Sequence, residues 1–476
     1  MLGALGCTKW RWLYTVSHKV KVQVPVAYSG ETVAQFIGDD VLAFDRDDHV
    51  LAPYVTIDGR IHGLTSDFLR TLFSYRPNIA TARRMASDLA SWLDYLCNVC
   101  DLAPFEDSRD PVLLATEEHW ARFYRRCQYG ADEELISPDS WRKRSSALKR
   151  LYEYLRARYN HMPPFDIVAF TTTDGYSGTM LAKYRPRRSN TGSAGIPLTP
   201  SFVGHLLMGA MRVDMNGQQA FYKGADRDHA IISLGVGAGL RRNNLACITT
   251  YEIPSPSGLP VTVMRVANRI TKGDAGGDAF VFSHRLPAVH GYMTGARAEA
   301  VARKPFTPSR PLRIVSADDK SVRFRREGSD EVVSRLWTNL GGDERRRLVD
   351  LDGTTPVLFV NEYTGSPLAY DSFSNAIEGA RRFAQSNING DFPDRFRLHD
   401  LRHTYAVHLV VAIYMGVLSE SVRKDRRGDW IVDHIADAVE FVKASLGHAS
   451  SGSTQLYIQT AYRFLTIPVE QFIGVV

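Results

Sequence analysis

The chain has 476 residues, too many for one ordinary domain and enough for two or three. With 44% hydrophobic and 23% charged residues it has the makeup of a globular protein that can bury a full core, which excludes a disordered chain or a small disulfide scaffold. Its formal net charge of +6 tilts mildly toward a polyanionic partner, and five scattered cysteines fit a reducing compartment.

The opening MLGALGCTKWRW has an apolar run too short for a secretory leader, and its charges follow the run. No stretch approaches the length of a membrane span. A cytoplasmic protein without a membrane partner is therefore expected. Residues 1–65 read as a β-containing extension, because HKVKVQVPVAY alternates Val20, Val22, Val24 and Val26 with more polar neighbours. This segment carries six basic and seven acidic residues, which does not suit a DNA-binding arm.

Residues 66–160 read as helices. Met85, Leu89, Trp92, Leu93 and Leu96 recur at helical spacing, with Thr81 or Asn78 available to cap the start. Cys97 and Cys100 form a CxxC on that helix, but no second pair completes a zinc site, so they read as packing residues. A later helix, WRKRSSALKRLYEYLRARY, puts Leu148, Leu151, Tyr152 and Leu155 on one stripe. Around it stand Arg142, Lys143, Arg144, Lys149, Arg150, Arg156 and Arg158 against one acid, Glu153. The plain reading is a solvated face. The functional reading makes Arg142, Arg144, Lys149, Arg150 and Arg156 phosphate contacts.

Residues 161–198 are rich in Pro, Gly, Ser, Thr and Arg, and read as a basic linker. A new unit spans 199–476. It holds a buried helix with a glycine turn (RDHAIISLGVGAGLRRNNLACI), two strands around a Gly-Asp-rich turn, and further helices. Insertions are expected near 284–350 and 415–435, with a C-terminal tail at 463–476. That tail carries Phe464, Leu465, Ile467, Val469, Phe472 and Ile473, and either packs on its own unit or docks on a neighbouring protomer.

Chemistry-bearing residues stand at four places in this last unit. They are Arg241 in GAGLRRN, Lys272 in ITKGDAGGD, His399 and Arg402 in LHDLRH, and His448 and Tyr457 in SLGHASSGSTQLY. Singly, each has a plain structural reading. Together they suit one phosphodiester. Two guanidiniums can grip the non-bridging oxygens by forked bonds. Histidines can donate bonds or move protons near neutral pH. A phenol of pKa about 10 needs help to attack, and a lysine can protonate a leaving oxygen. With so much fixed positive charge no divalent metal or other cofactor is required, and no dense carboxylate cluster is present to hold one.

In this order the boxes resemble the tyrosine recombinases, or phage integrase family. GLRRNNL is similar to that family's first arginine box, HDLRHTYAVHL to its second and LGHASSGSTQLY to its third. The resemblance covers residues 200–460 well and 66–160 loosely. It implies a mainly α chain with a small antiparallel β-sheet (α+β). The expected architecture is a two-domain DNA clamp, with a helical core-binding domain at 66–160 and a catalytic domain at 199–476. It implies Tyr457 as nucleophile, Arg241 and Arg402 as phosphate clamps, Lys272 as acid, His399 as base and His448 as a phosphate donor. Double-stranded attachment sites, a homo-tetramer on two duplexes and a possible directionality factor are the implied partners.

One departure from the family pattern and two rival assignments stand out. Asn244 occupies the place of the family's usual glutamate, so that helix must be braced otherwise. Arg242 competes with Arg241, and Tyr462 stands in reserve for Tyr457. The expected function is site-specific recombination for a mobile element. The alternatives are a type IB topoisomerase or telomere resolvase, and an inactive DNA-binding module.

Overall fold

The stripe of apolar residues foreseen between Met85 and Leu96 organises the first half of the chain. In the computed structural model the described residues are 17–23, 52–75, 79–102, 104, 110–130, 135–171, 177–184, 195–271, 277–414, 442, 460–461, 463–464, 466–468 and 470–473. They fall into two units, 1–192 and 193–476. The chain is mainly helical, with four small sheets among the described residues. None of these helices is long and apolar enough to cross a membrane.

In the first unit, strands β1 (Val20–Gln23), β2 (Tyr54–Ile57) and β3 (Arg60–Ile61) form an antiparallel sheet. Helices α1 (Gly63–Tyr75), α2 (Ile79–Asn98), α3 (Pro111–Leu114), α4 (Glu117–Tyr129) and α5 (Pro138–Tyr159) follow. Since α2 begins at Ile79, Thr81 lies inside it rather than capping it, and Asn78 lies outside the described residues. Met85, Leu89, Trp92, Leu93 and Leu96 are all buried, as is Cys97. Trp92 donates to the Tyr152 hydroxyl (3.2 Å), which donates to the Val112 carbonyl (2.9 Å). The two bonds fix α5 against α2 and α3, satisfying polar atoms that the core would otherwise strand. Helix α5 starts on a Ser137 cap with proline in its first turn and stops at Asn160, which is left-handed at φ 51°.

The linker expected at 161–198 is shorter than its composition suggests. Strands β4 (Ile167–Thr171) and β5 (Ser177–Leu181) pair as a hairpin, and Phe165 and Leu181 are buried in the first core. Trp141 also donates to the Tyr184 carbonyl (3.0 Å). A few large apolar side chains in a polar, glycine-rich stretch suffice to fold it onto the helices.

The second unit is built around one helix buried along nearly its whole length. Helix α6 (Pro200–Met211) precedes α7 (Ala225–Ala238), where Ile231, Ile232, Leu234 and Val236 are all buried. Helix α8 (Arg242–Cys247) and the antiparallel strands β6 (Val261–Val266) and β7 (Gly277–Phe282) follow. Next come α9 (Leu286–Thr294), α10 (Ala296–Ala302), β8 (Leu312–Ala317), β9 (Ser321–Arg326), β10 (Val332–Leu336), α11 (Gly342–Arg345) and β11 (Leu348–Val349). Helices α12 (Tyr370–Asn387), α13 (Leu398–Tyr414) and the short α14 (Glu470–Ile473) complete it.

The insertion expected at 284–350 narrows to 312–349. Leu286, Val289 and Tyr292 of α9 belong to the main core, whereas β8, β9 and β10 have their own small core of Ile314, Val322, Phe324 and Trp337. Arg345 fastens that sheet. Fully buried, it binds the Glu252 carboxylate at 2.6 and 3.0 Å and the carbonyls of Trp337 (2.6 Å) and Cys247 (3.2 Å). Breaking such a satisfied buried pair costs about 3–5 kcal/mol. The insertion expected at 415–435 lies outside the described residues. In the tail, Phe464 and Phe472 are buried beside α13, with Phe472 4.9 Å from the His408 ring. These residues therefore pack on their own unit.

Glu362 is a buried carboxyl whose Oε1 has no hydrogen-bond partner among the described residues. Burial pushes it from an ordinary 4.5 up to about 7, opposed by the Arg227 guanidinium and reinforced by Asp228. The folded chain therefore holds an extra proton between these values, and stability is lost as pH rises through that window. Glu362→Gln should match the parent near pH 5 and exceed it at pH 8 in urea midpoint. A difference that does not change with pH would contradict this placement.

Candidate active site

The glycine turn after α7 sets the first arginine. Gly239 ends the helix at φ +62°, a left-handed conformation that a side chain disfavours. A Cβ there would also stand 2.3 Å from the Tyr405 ring. The chain reverses and places Arg241 as the capping residue of α8. Its backbone N–H donates to Asn244 Oδ1 (3.0 Å).

Asn244 answers the question raised by the missing glutamate. It is buried, and its Nδ2 donates to the Ile270 carbonyl (3.0 Å) and to Thr271 Oγ1 (3.1 Å). Asn243 donates to the same carbonyl at 2.7 Å. A carboxylate could accept from Arg241 but could not donate to Ile270, whereas an amide does both. The brace expected elsewhere is therefore Asn244 itself. It ties the Arg241 turn to the chain immediately before Lys272.

Helix α13 supplies the second box. Arg397 N–H donates to Asp400 Oδ2 (2.7 Å) at its start. His399 and Arg402, three residues apart, share a face. Arg402 is buried and its Nη1 donates to the Gly239 carbonyl at 2.7 Å, so it reaches the turn that carries Arg241. His399 is exposed at the rim, its ring 4.7 Å from that of His403 in an edge-to-face arrangement. Arg241 and His399 line one cavity of about 480 Å³, together with Leu240, Ser374, Arg397 and Leu398.

The electrostatics agree with this grouping. Desolvation of its inner edge lowers the His399 pKa below the ordinary 6.5, and the Arg402 and Arg241 guanidiniums lower it further against the pull of Asp400. His403 is held at about 4 by burial, with His399 and Arg402 adding to the effect. Both shifts favour the neutral imidazole. A neutral ring can accept a proton, which an imidazolium cannot.

Arg241 and Arg242 both line this cavity but differ in exposure and partners. Arg242 is exposed and turns to Asp371 (3.6 Å) and the Tyr370 ring, while Arg241 is half-buried. Lys272, His448, Tyr457 and Tyr462 lie outside the described residues. The basic run on α5 divides as well. Arg144 turns inward to Asp88 (3.6 Å) and the Phe123 ring. Lys149 donates to the Thr179 carbonyl (2.6 Å) and sits 3.6 Å from Glu153. Arg142 pairs with Asp139 one turn away. Arg150 and Arg156 are exposed. Among the described residues, no three His, Cys, Asp or Glu side chains converge as metal ligands.

Sequence reasoning overlooked Tyr405. Its hydroxyl donates to the Phe280 carbonyl (2.6 Å), which pins α13 to β7, and its ring closes over Gly239. Its place three residues after Arg402 was the available signal.

The second unit is thus a helical framework that gathers cationic and proton-accepting groups from two distant segments around one cavity. No known family model matches the chain, and no curated protein does. Among solved structures it is similar to the XerH site-specific recombinase bound to its difH substrate in a pre-cleavage complex. That match has 12% identity over 84% of this chain and 81% of the other, with a TM-score of 0.46. It is also similar to the Tn1549 transposon integrase in complex with transposon right end DNA, at 13% identity over 83% and 94% of the two chains and a TM-score of 0.44.

Gly239→Ala should lower the thermal midpoint. The left-handed backbone alone costs a side chain about 1–2 kcal/mol, before the Tyr405 ring is displaced. An unchanged midpoint would mean that neither the turn nor the ring constrains this position.

Proposed function

We propose that the chain is a site-specific DNA recombinase of the tyrosine type, which cuts and rejoins strands to integrate or excise a mobile element. The observation that carries this reading is the Arg402 guanidinium on the Gly239 carbonyl, which brings the second box to the Arg241 turn beside His399.

Arg241 and Arg402 would bind the non-bridging oxygens of one phosphodiester and stabilise the charge that builds there. The Tyr457 hydroxyl would lose its proton to His399 as its oxygen attacks phosphorus. The 5′ oxygen would leave with a proton from Lys272, while His448 donates to the phosphate. The product is a 3′-phosphotyrosine and a free 5′ hydroxyl. The new ester keeps the free energy of the old one, so reversal onto another strand needs no ATP. The substrate would be double-stranded attachment DNA, held by a homo-tetramer on two duplexes, with a directionality factor as a further partner. On the first unit, exposed Arg150 and Arg156, with Arg142, would contact phosphates, while Arg144 and Lys149 hold the helix that bears them.

Tyr457→Phe should bind its DNA as the parent does and form no covalent adduct on a nicked suicide duplex, read by denaturing gel. An adduct that persists would move the nucleophile to another residue. Lys272→Ala should lose cleavage by orders of magnitude on ordinary DNA and regain it on a duplex whose 5′ bridging oxygen is sulfur. A thiolate leaves without a proton, so failure of the sulfur substrate to restore cleavage would remove Lys272 as the acid.

A further inference from the structure

No residue of the sheet inserted at 312–349 lines the proposed pocket, yet its outer face is chemically one-sided. The strand order is β10-β9-β8-β11, and alternate residues of β8 and β9 turn Leu312, Ile314, Val322 and Phe324 inward. The opposite parity turns Arg313, Arg323 and Arg325 outward, and all three are exposed. Register sets them in two rows. Arg313 lies directly across from Arg325, with Val332 on the other side of that arginine. The bulge at Val315 brings Ser316 opposite Arg323, which has Ser334 on its other side.

Two physical points speak against an ordinary solvated face. Like charges directly opposite in a sheet, with side chains about 5 Å apart, destabilise it. Arg313 and Arg325 accept that cost without an ion-pair partner among the described residues, and Arg323 has none either. The acids of this insertion are set apart from the face. Asp318 and Asp319 occupy one turn and Glu327, Asp330 and Glu331 the other, while Glu344 faces Arg335 at 3.5 Å. Basic residues also commonly guard an exposed sheet edge. Arg323 and Arg325 cannot do so, because β9 is an inner strand.

We infer that the outer face of this inserted sheet, through Arg313, Arg323 and Arg325 with Ser316 and Ser334 beside them, binds the phosphate backbone of duplex DNA. The inference rests on the reading that the chain acts on DNA. Arginines two residues apart on β9 stand about 7 Å from each other, so they meet successive points along a backbone rather than one anion. Serine hydroxyls are common phosphate donors and carry no base preference. The contact therefore adds affinity and salt dependence without sequence selectivity. Arg345 holds the sheet to the Glu252 turn, so the face is a rigid part of the unit that bears the pocket.

The test compares the full chain with R313Q/R323Q/R325Q and with R313K/R323K/R325K, all checked for equal thermal midpoints. Binding to a long duplex is titrated against salt, and covalent capture is measured in parallel on a short nicked duplex. Each lost phosphate contact removes about 0.9 from the slope of log K on log salt, so the glutamine triple should be shallower by about 2–3. The lysine triple should restore the parent slope, and capture on the short duplex should persist in both. A glutamine triple with the parent slope overturns the inference and leaves the recombinase reading standing if capture persists. An unchanged slope with altered self-association in sedimentation would assign the face to a protein contact instead. A parent that binds no duplex at any salt would overturn both readings.

Discussion

One hydrogen bond holds the proposed site together. Arg402 donates its Nη1 to the carbonyl of Gly239, 163 residues earlier in the chain, where α7 ends. A helix C-terminus carries partial negative charge on its unpaired carbonyls, and a buried guanidinium is a fitting partner for it. The contact gives the Gly239 carbonyl a buried donor and ties Arg402 to the turn from which Arg241 emerges. It also sets the rotation of α13, and with it the position of His399. Tyr405 reinforces the same junction from the other side, with its ring on Gly239 and its hydroxyl on Phe280.

The charge around this junction explains how a cationic cavity can also contain a base. Guanidiniums keep their protons at any ordinary pH. Desolvation lowers the His399 pKa and their field lowers it further, while burial holds His403 at about 4. The arginines that would grip a phosphate thus also keep the neighbouring imidazole ready to accept a proton. Asn244 extends the arrangement by linking the Arg241 turn to Thr271, the residue that precedes Lys272 in the sequence.

Much of this was readable in the sequence, for identifiable reasons. The apolar spacing from Met85 to Leu96 declared a buried helix, and glycines before a paired arginine declared a helix end. The strands on either side of the Gly-Asp-rich stretch lie where that turn chemistry puts them. Direction was harder to read than position. Arg144 and Lys149 look like their exposed neighbours in the sequence, but their partners, Asp88 and Thr179, come from segments that local periodicity cannot see. The hairpin at 167–181 is hidden by linker-like composition, since its anchors, Phe165, Ile167, Leu181 and Tyr184, are few and scattered in a polar stretch. Asn244 stands out in the sequence, but its role depends on Ile270 and Thr271, 26 and 27 residues further along the chain. The arginine face of the inserted sheet depends on register between strands, which no single strand reveals.

The central claim is that Arg241 and Arg402, drawn from two distant boxes, act on a single phosphate. A double-mutant cycle on the cleavage rate tests it most directly, using Arg241→Lys, Arg402→Lys and their combination, each with the parent's thermal midpoint. Groups that serve one transition state as a unit lose their effect together, so the double variant should be little slower than the worse single one. Losses that multiply in full would mean that the two arginines work independently, and would contradict a shared phosphate site.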